Sequence, residues 1–443
     1  MDELRKRMAG AIERIPLVDT HEHIMQEAER NDYAVDFSYL FAHYNSSDVV
    51  SAGMPPPLME AARLPINRYR VLVNERTRAG RFIPGPLRED MSLEERWQAI
   101  EPYWAAIRNT AYAHWTLIAA RDLFGVEDLN RDTYMQLSEA IAASRKPGWY
   151  RRVLREKAGI ARSVIDLRTT EVDKELFAPV VRMDPFIVCR TRVDLRFLEE
   201  ESGTAIHKLG DLQRAMERVL SDYVEAGAVG VKNGLAYQRT LKYEKVTRHE
   251  AEVVFDRIFG HLGEGPSWKE AKPLQDYMFH RVIQVATDQN LPIQIHTGLQ
   301  EGNENIITNS RPTHLINLLI EYREARFDLF HGGYPYHHEW VTLAKNFANV
   351  YPDMCWVYII SPTLGRQLLH ELIETVPGNK ILAFGGDSMH VEGAYAHSRM
   401  AREAVARVLT EKVEEGYLTE TQAVELAKRM LNDNPAELYG FKD

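Results

Sequence analysis

Two histidines separated by one residue, in Val18-Asp19-Thr20-His21-Glu22-His23, form the densest chemistry-bearing feature of the sequence. Residues two apart on an extended chain point to the same side, so both imidazoles can reach one metal ion. Three further apolar runs end in similar residues: His296 in Gln-Ile-His-Thr-Gly, His331 in Leu-Phe-His-Gly-Gly and Asp387 in Phe-Gly-Gly-Asp-Ser. Singly, a histidine after a strand is more often a hydrogen-bonded structural residue, and an aspartate after a glycine pair is more often a turn or cap. Together, four strand ends offer imidazole nitrogen or carboxylate oxygen. That donor set suits zinc, manganese or iron(II).

The elements that must position these residues are short β-branched runs alternating with helical patterns. The runs are Leu17–Thr20, Ser163–Leu167, Pro185–Cys189, Ala228–Lys232, Pro292–His296, Phe327–His331, Val350–Val357 and Ile381–Phe384. Most are continuously apolar, as expected of parallel strands buried on both faces. Leu212–Ala226, Glu250–Leu262, Leu315–Arg323 and Arg366–Thr375 carry apolar residues at helical spacing between them. Eight such units predict an α/β fold, a (β/α)8 TIM barrel, whose active site lies at the carboxyl ends of the strands. One domain, 1–443, is expected, with a mostly helical insertion over 27–158 between strands one and two. Ser92-Leu93-Glu94-Glu95 opens a helix there with a capping-box pattern, and Trp97, Tyr103 and Trp104 follow it. Asp36–Arg70, with Pro55-Pro56-Pro57, reads as an irregular loop able to cover a site. Helices close the chain, one starting at a second capping box, Thr419-Glu420-Thr421-Gln422.

The 443 residues are 45% hydrophobic and 27% charged, the composition of a globular chain with a substantial core. A formal charge of −10 argues against nucleic-acid binding while leaving room for a basic pocket around an anionic substrate. Cys189 and Cys355 are too few for a disulfide framework and read as buried free thiols in a reducing compartment. Neither a signal peptide nor a membrane span is recognisable, so the expectation is a soluble cytoplasmic protein with a small-molecule substrate and no membrane partner, working as a homo-oligomer. G-x-S-x-G and P-loop patterns are missing from the sequence, and Gly332-Gly333 and Gly385-Gly386 are too sparse for a dinucleotide fingerprint.

His21-x-His23 on strand one, His296 on strand five, His331 on strand six and Asp387 on strand eight resemble the amidohydrolase superfamily. The likeness covers roughly 160–443 plus the first strand. The helical insertion and the Tyr-Gly carboxyl tail look most like its uronate isomerase-related and FluG-like branch, although a strand-five histidine such as His296 counts against uronate isomerase activity. The resemblance implies a metal held by His21, His23 and His296, with Asp387 beside it. Asp387 would take a proton from a metal-activated water and pass it to the leaving group. His331 would polarise the substrate carbonyl in a one-metal site or ligate a second ion in a two-metal site. Zinc is the first expectation, manganese or iron the alternatives, as one or two divalent ions.

Lys232, in Val-Gly-Val-Lys-Asn-Gly, has three readings: a carboxylated bridge between two ions, a lysine that does not bind metal, or a simple charge partner or contact to a substrate carboxylate. Arg168 after strand two, and Arg190 and Arg192 after strand three, are candidate substrate anchors, because guanidinium forks bind carboxylates. Rim salt bridges are the equal alternative. Arg311, within Asn309–His314, would serve the pocket or accompany a helix cap. His337 and His338 are adjacent and diverge, so they read as a loop or helix start. The leading functional reading is hydrolysis of an amide-type C–N bond in a small, carboxylate-bearing substrate. The alternative is decarboxylation or a uronate-isomerase-like reaction in the same metal site. A non-catalytic scaffold would have lost some of the metal residues, and here each is present.

Overall fold

A computed structural model describes residues 2–32, 35–62, 91–261, 263 and 265–441. Seven parallel strands form one sheet in sequential order: β1 (Leu17–Glu22), β2 (Ile160–Ile165), β3 (Phe177–Arg182), β4 (Gly230–Asn233), β5 (Ile293–Ile295), β6 (Phe327–Leu329) and β7 (Val350–Pro352). The segment after Lys380 brings the two edges together. Leu382 pairs in parallel with Asp353 beyond β7. On its other side, Thr20 N–H donates to the Phe384 carbonyl (3.3 Å) and Asp387 N–H to the His21 carbonyl (2.7 Å). The result is an α/β barrel-like fold.

Three strand expectations need correction. Pro185–Cys189 is not the third strand, for Asp184–Val188 is a short helix with Pro185 in its first turn. A five-residue apolar run has too little periodicity to distinguish strand from buried helix, and proline suits a helix start. The real strand, Phe177–Arg182, contains Pro179, a residue that reads against strand. It is tolerated because its backbone faces the chain ahead of β4, which begins only at Gly230, and there its carbonyl still accepts from Val229. The expected seventh strand stops at Pro352, since Trp356 adopts φ 67° and a helical turn follows from Val357. Ile381–Phe384 makes only the Asp353–Leu382 bridge. Beyond it, Gly385 and Gly386 let the chain pass against the β1 wall: a Cβ on Gly386 would stand 1.8 Å from Glu22 Oε1, and one on Gly385 2.4 Å from Thr20 Oγ1.

Every regular element described between β1 and β2 is helical. Both sequence-read capping boxes form, with Glu95 N–H on Ser92 and Gln422 N–H on Thr419. The expected irregular loop Asp36–Arg70 is corrected where it is described, for it holds the short helices Phe37–Phe41, Tyr44–Ser51 and Pro56–Ala61; Arg63–Arg70, and Leu262, lie outside the described residues. The helical segment between β1 and β2 builds its own apolar cluster around Phe37, Phe41, Trp97 and Trp104. It joins the barrel through Trp115, whose Nε1–H donates to the Gly393 carbonyl (2.7 Å), and through Tyr44, stacked on Trp356 with ring centroids 5.0 Å apart. A fully buried ion pair, Arg30 to Glu392 at 2.7 Å, ties it to the long helix Val391–Glu414 that follows Asp387. Among the described residues no helix is long and apolar enough to cross a membrane.

Candidate metal centre

All six residues of β1 are buried although four are polar, because this strand's carboxyl end faces the barrel mouth rather than the core. His21 and His23 project together there, Nε2 to Nε2 at 3.2 Å. Asp387 stands against both, with Oδ1 at 3.6 Å from His21 Nε2 and 3.3 Å from His23 Nε2. Its other oxygen, Oδ2, lies 3.9 Å from His331 Nε2. His331 Nε2 in turn faces His296 Nδ1 at 2.9 Å. The structure therefore gathers two histidine pairs, with the Asp387 carboxylate extending one oxygen toward each.

Hydrogen bonds on the far side of each ring fix which nitrogen is bare. His23 Nδ1 lies 3.0 Å from the Asp166 carbonyl and His331 Nδ1 3.2 Å from the Cys355 carbonyl. His296 Nε2 lies 2.7 Å from the Leu299 carbonyl. Carbonyl oxygens only accept, so these three nitrogens carry the protons. The remaining nitrogens of His23, His331 and His296 hold lone pairs. His21 Nε2 accepts from Lys232 Nζ at 3.1 Å and is bare as well. Both close contacts thus set lone pair against lone pair. Protonation is opposed by burial: the His331 imidazolium is pushed down to about 3, and those of His21 and His296 are well below the ordinary range. Two imidazole nitrogens on one zinc ion at ~2.0–2.1 Å would lie roughly 3 Å apart, the spacing found here. The donors fit a divalent cation.

Burial opposes a charge on Asp387, but the His23, His21 and His331 rings set against it outweigh that, and its carboxyl is held well below the usual range. Lys232 is buried with its Nζ 3.9 Å from the centroid of the Phe330 ring. Burial and the nearby Arg182 bring its ammonium down to about 8, against the pull of Asp387 and Asp166.

Several residues at the mouth escaped the sequence reading. Asp166, at the end of β2, meets His21 and His23 in a possible metal-holding group whose donor atoms all lie within 4.8 Å of one another. Arg182, ending the true β3, binds Asp166 through Nε at 2.6 Å. An Asp at the end of an apolar run was a legible signal for the first, whereas misreading the third strand concealed the second. From the insertion, His43 Nδ1 (3.2 Å) and the Tyr44 hydroxyl both reach the Asp387 carbonyl. Glu301, on the loop after β5, accepts from Ser47 Oγ at 2.8 Å and has Oε2 3.8 Å from His43 Nε2. Burial, with Asp387 nearby, raises its carboxyl to about 8.

Of the sequence-read arginines, Arg190, Arg192 and Arg311 are engaged by other partners. Arg190 donates to the Pro266 carbonyl and lies over Trp268; Arg192 donates to the Phe259 carbonyl and lies over that ring. Neither follows a strand, because Pro185–Cys189 is not one. Arg311 pairs with Glu339 and is half exposed. Arg168 acts electrostatically on Asp184 and Glu201. His337 and His338 begin the helix His337–Asn346.

Fold and centre together define an α/β barrel-like protein with an imidazole–carboxylate cluster at the strand ends. The family described as Amidohydrolase matches residues 204–441, more than half of the chain, and the chain belongs to that family. Protein fluG of Emericella nidulans is 29% identical over 240 residues, which is 52% of this chain and 28% of that protein. The fold is shared with glucuronate isomerase from Caulobacter crescentus (TM-score 0.78, 17% identity, 100% of this chain and 94% of that one). It is likewise shared with uronate isomerase from Thermotoga maritima (TM-score 0.75, 18% identity, 99% and 97%).

Proposed function

We propose that this protein is a zinc-dependent hydrolase that cleaves an amide-type C–N bond in a small substrate bearing a carboxylate. The observation that carries the reading is the two pairs of facing bare imidazoles, His21–His23 and His296–His331, flanking one ionised carboxylate. His21, His23 and Asp387 would hold the ion, with His296 and His331 providing a second set of donors on the Oδ2 side. When bound, the ion supplies Lewis acidity toward a carbonyl and toward water. Asp387 is then the proton carrier: a carboxylate at neutral pH, it accepts a proton from water and returns it to the departing nitrogen. Lys232 and Arg182, two cations buried at strand ends, support an acidic substrate. Closure of the sheet by the Leu382–Ser388 segment supports a (β/α)8 barrel with the insertion packed on it as one domain.

A second reading, isomerisation of a sugar acid, is favoured by one observation: the two isomerase folds match this chain over its whole length, insertion included. Isotopically labelled water separates the readings. Hydrolysis predicts one labelled oxygen in the acid product of a cleaved amide. Turnover of a uronate without cleavage would instead establish the isomerase. An amide cleaved without label would overturn the water nucleophile.

A further inference from the structure

We propose that Cys355 is a metal ligand, contributing a thiolate beside His331 and Asp387, and that the centre is thereby matched to a thiophilic ion. The inference rests on the metal-binding reading above and specifies a donor which that reading does not use. Cys355 Sγ, a His331 ring nitrogen and an Asp387 carboxylate oxygen form a second group whose candidate donor atoms all lie within 4.8 Å of one another, and all three residues are buried.

The backbone around Cys355 is arranged about this group. Its carbonyl accepts from His331 Nδ1, which leaves His331 Nε2 bare toward Asp387. Its N–H donates to Asp353 Oδ1 at 2.7 Å, anchoring the turn beyond β7. A Cβ on Gly385 would stand 2.9 Å from Sγ, so the glycine keeps the thiol's side of the wall clear. Trp356, next in the chain, takes φ 67° and turns the backbone away.

A sulfur, an imidazole nitrogen and a carboxylate oxygen make a mixed set that suits zinc or cobalt(II) and disfavours magnesium, calcium and manganese. On binding, a sulfur–metal bond replaces the S–H bond and the proton leaves to solvent. Sequence reading treated this thiol as inert, which was reasonable for a residue in an apolar run. Only its neighbours across the sheet reveal the alternative.

Cobalt(II) reconstitution of the metal-stripped protein tests the proposal, because a thiolate on cobalt gives a near-ultraviolet charge-transfer absorption that imidazole and carboxylate do not. The chain has two cysteines, so Cys355→Ser and Cys189→Ser assign the band. Wild type and Cys189→Ser are expected to show it, while Cys355→Ser still binds cobalt through the histidines but lacks it. Zinc affinity at this position should fall at least about 10-fold in Cys355→Ser. Cobalt bound by wild type without the band, or a band surviving Cys355→Ser, overturns the thiolate and leaves the metal reading intact. Wild type that binds no cobalt overturns both. Should Cys355→Ser fail to fold, Cys189→Ser decides the matter, since Cys355 is then the sole thiol.

Discussion

Replacing Arg30 by methionine should destabilise the protein far more than its distance from the strand ends suggests. Arg30 and Glu392 are both fully buried. Glu392 Oε1 accepts from Arg30 at 2.7 Å and from Trp149 Nε1 at 2.8 Å, while Arg30 also donates to the Ser144 carbonyl and hydroxyl and to Tyr39. Without the guanidinium, a carboxylate remains in an apolar seam with one neutral donor. Breaking such a pair from one side costs ~3–5 kcal/mol, because the surviving charge is desolvated and uncompensated. Glu392→Met strands the guanidinium and should cost about the same. In the double variant neither charge remains, and the main penalty is Trp149 Nε1 without its acceptor, ~1–3 kcal/mol. The two single losses therefore cannot add, and a double-mutant cycle should give a coupling of at least ~3 kcal/mol. Urea unfolding of the four proteins, followed by tryptophan fluorescence and by circular dichroism, measures it. A coupling below ~1 kcal/mol, or a double variant weaker than either single one, would refute the reasoning.

Further perturbations act on the centre itself. Asp387→Asn preserves shape but removes the proton acceptor, so turnover should fall ~10²–10⁴-fold while bound metal falls much less; near-wild-type turnover at full metal content would exclude the proton-carrier role. His21→Ala and His296→Ala should each lower metal content and activity together, as elemental analysis of dialysed protein would register, and an undiminished metal content in His21→Ala would contradict the proposed ligand set. Glu301 gives a pH signature in metal-free protein. Its folded carboxyl titrates at about 8 against an ordinary 4.5, so between those values the folded state holds the proton more tightly than the unfolded state. Stability should therefore be greatest at the acid end of that window and decline as pH rises, by up to ~1.4 kcal/mol per pH unit relative to Glu301→Gln. Parallel thermal-melting pH profiles of the two proteins would contradict this.

The sequence carried much of this arrangement because barrel strands announce themselves as apolar runs and end in the residues that line the mouth. His21, His23, His331 and Asp387 could be found that way. Two kinds of information were out of reach. Pro185–Cys189 has strand composition but folds as a helix, and Pro179 disguises the real third strand, so Arg182 had no visible strand end to stand on. His43 and Tyr44 open the short helix Tyr44–Ser51 and Glu301 lies on a loop, and their convergence around Asp387 is a property of tertiary packing without a local pattern. The orientations of His296 and His331 were equally hidden, being set by the carbonyls of Leu299 and Cys355.

Backbone conformation explains why the insertion is needed where it lies. His331, Trp356 and Asp387 all have positive φ, at 69°, 67° and 54°, and so does His43, at 77°. Each such non-glycine residue costs on the order of 1–3 kcal/mol and persists only where its surroundings over-determine it. Asp387 is held in this way from both sides. Its N–H donates to the His21 carbonyl, and its own carbonyl receives Tyr44 and His43. Tyr44 in turn packs against both Tyr112 and Trp356, with centroids 4.9 and 5.0 Å away. The insertion therefore does more than roof the barrel. Its first turns supply hydrogen bonds to the Asp387 peptide in its left-handed conformation, with the carboxylate aimed between the two histidine pairs, so the helical segment and the imidazole–carboxylate cluster must be built together.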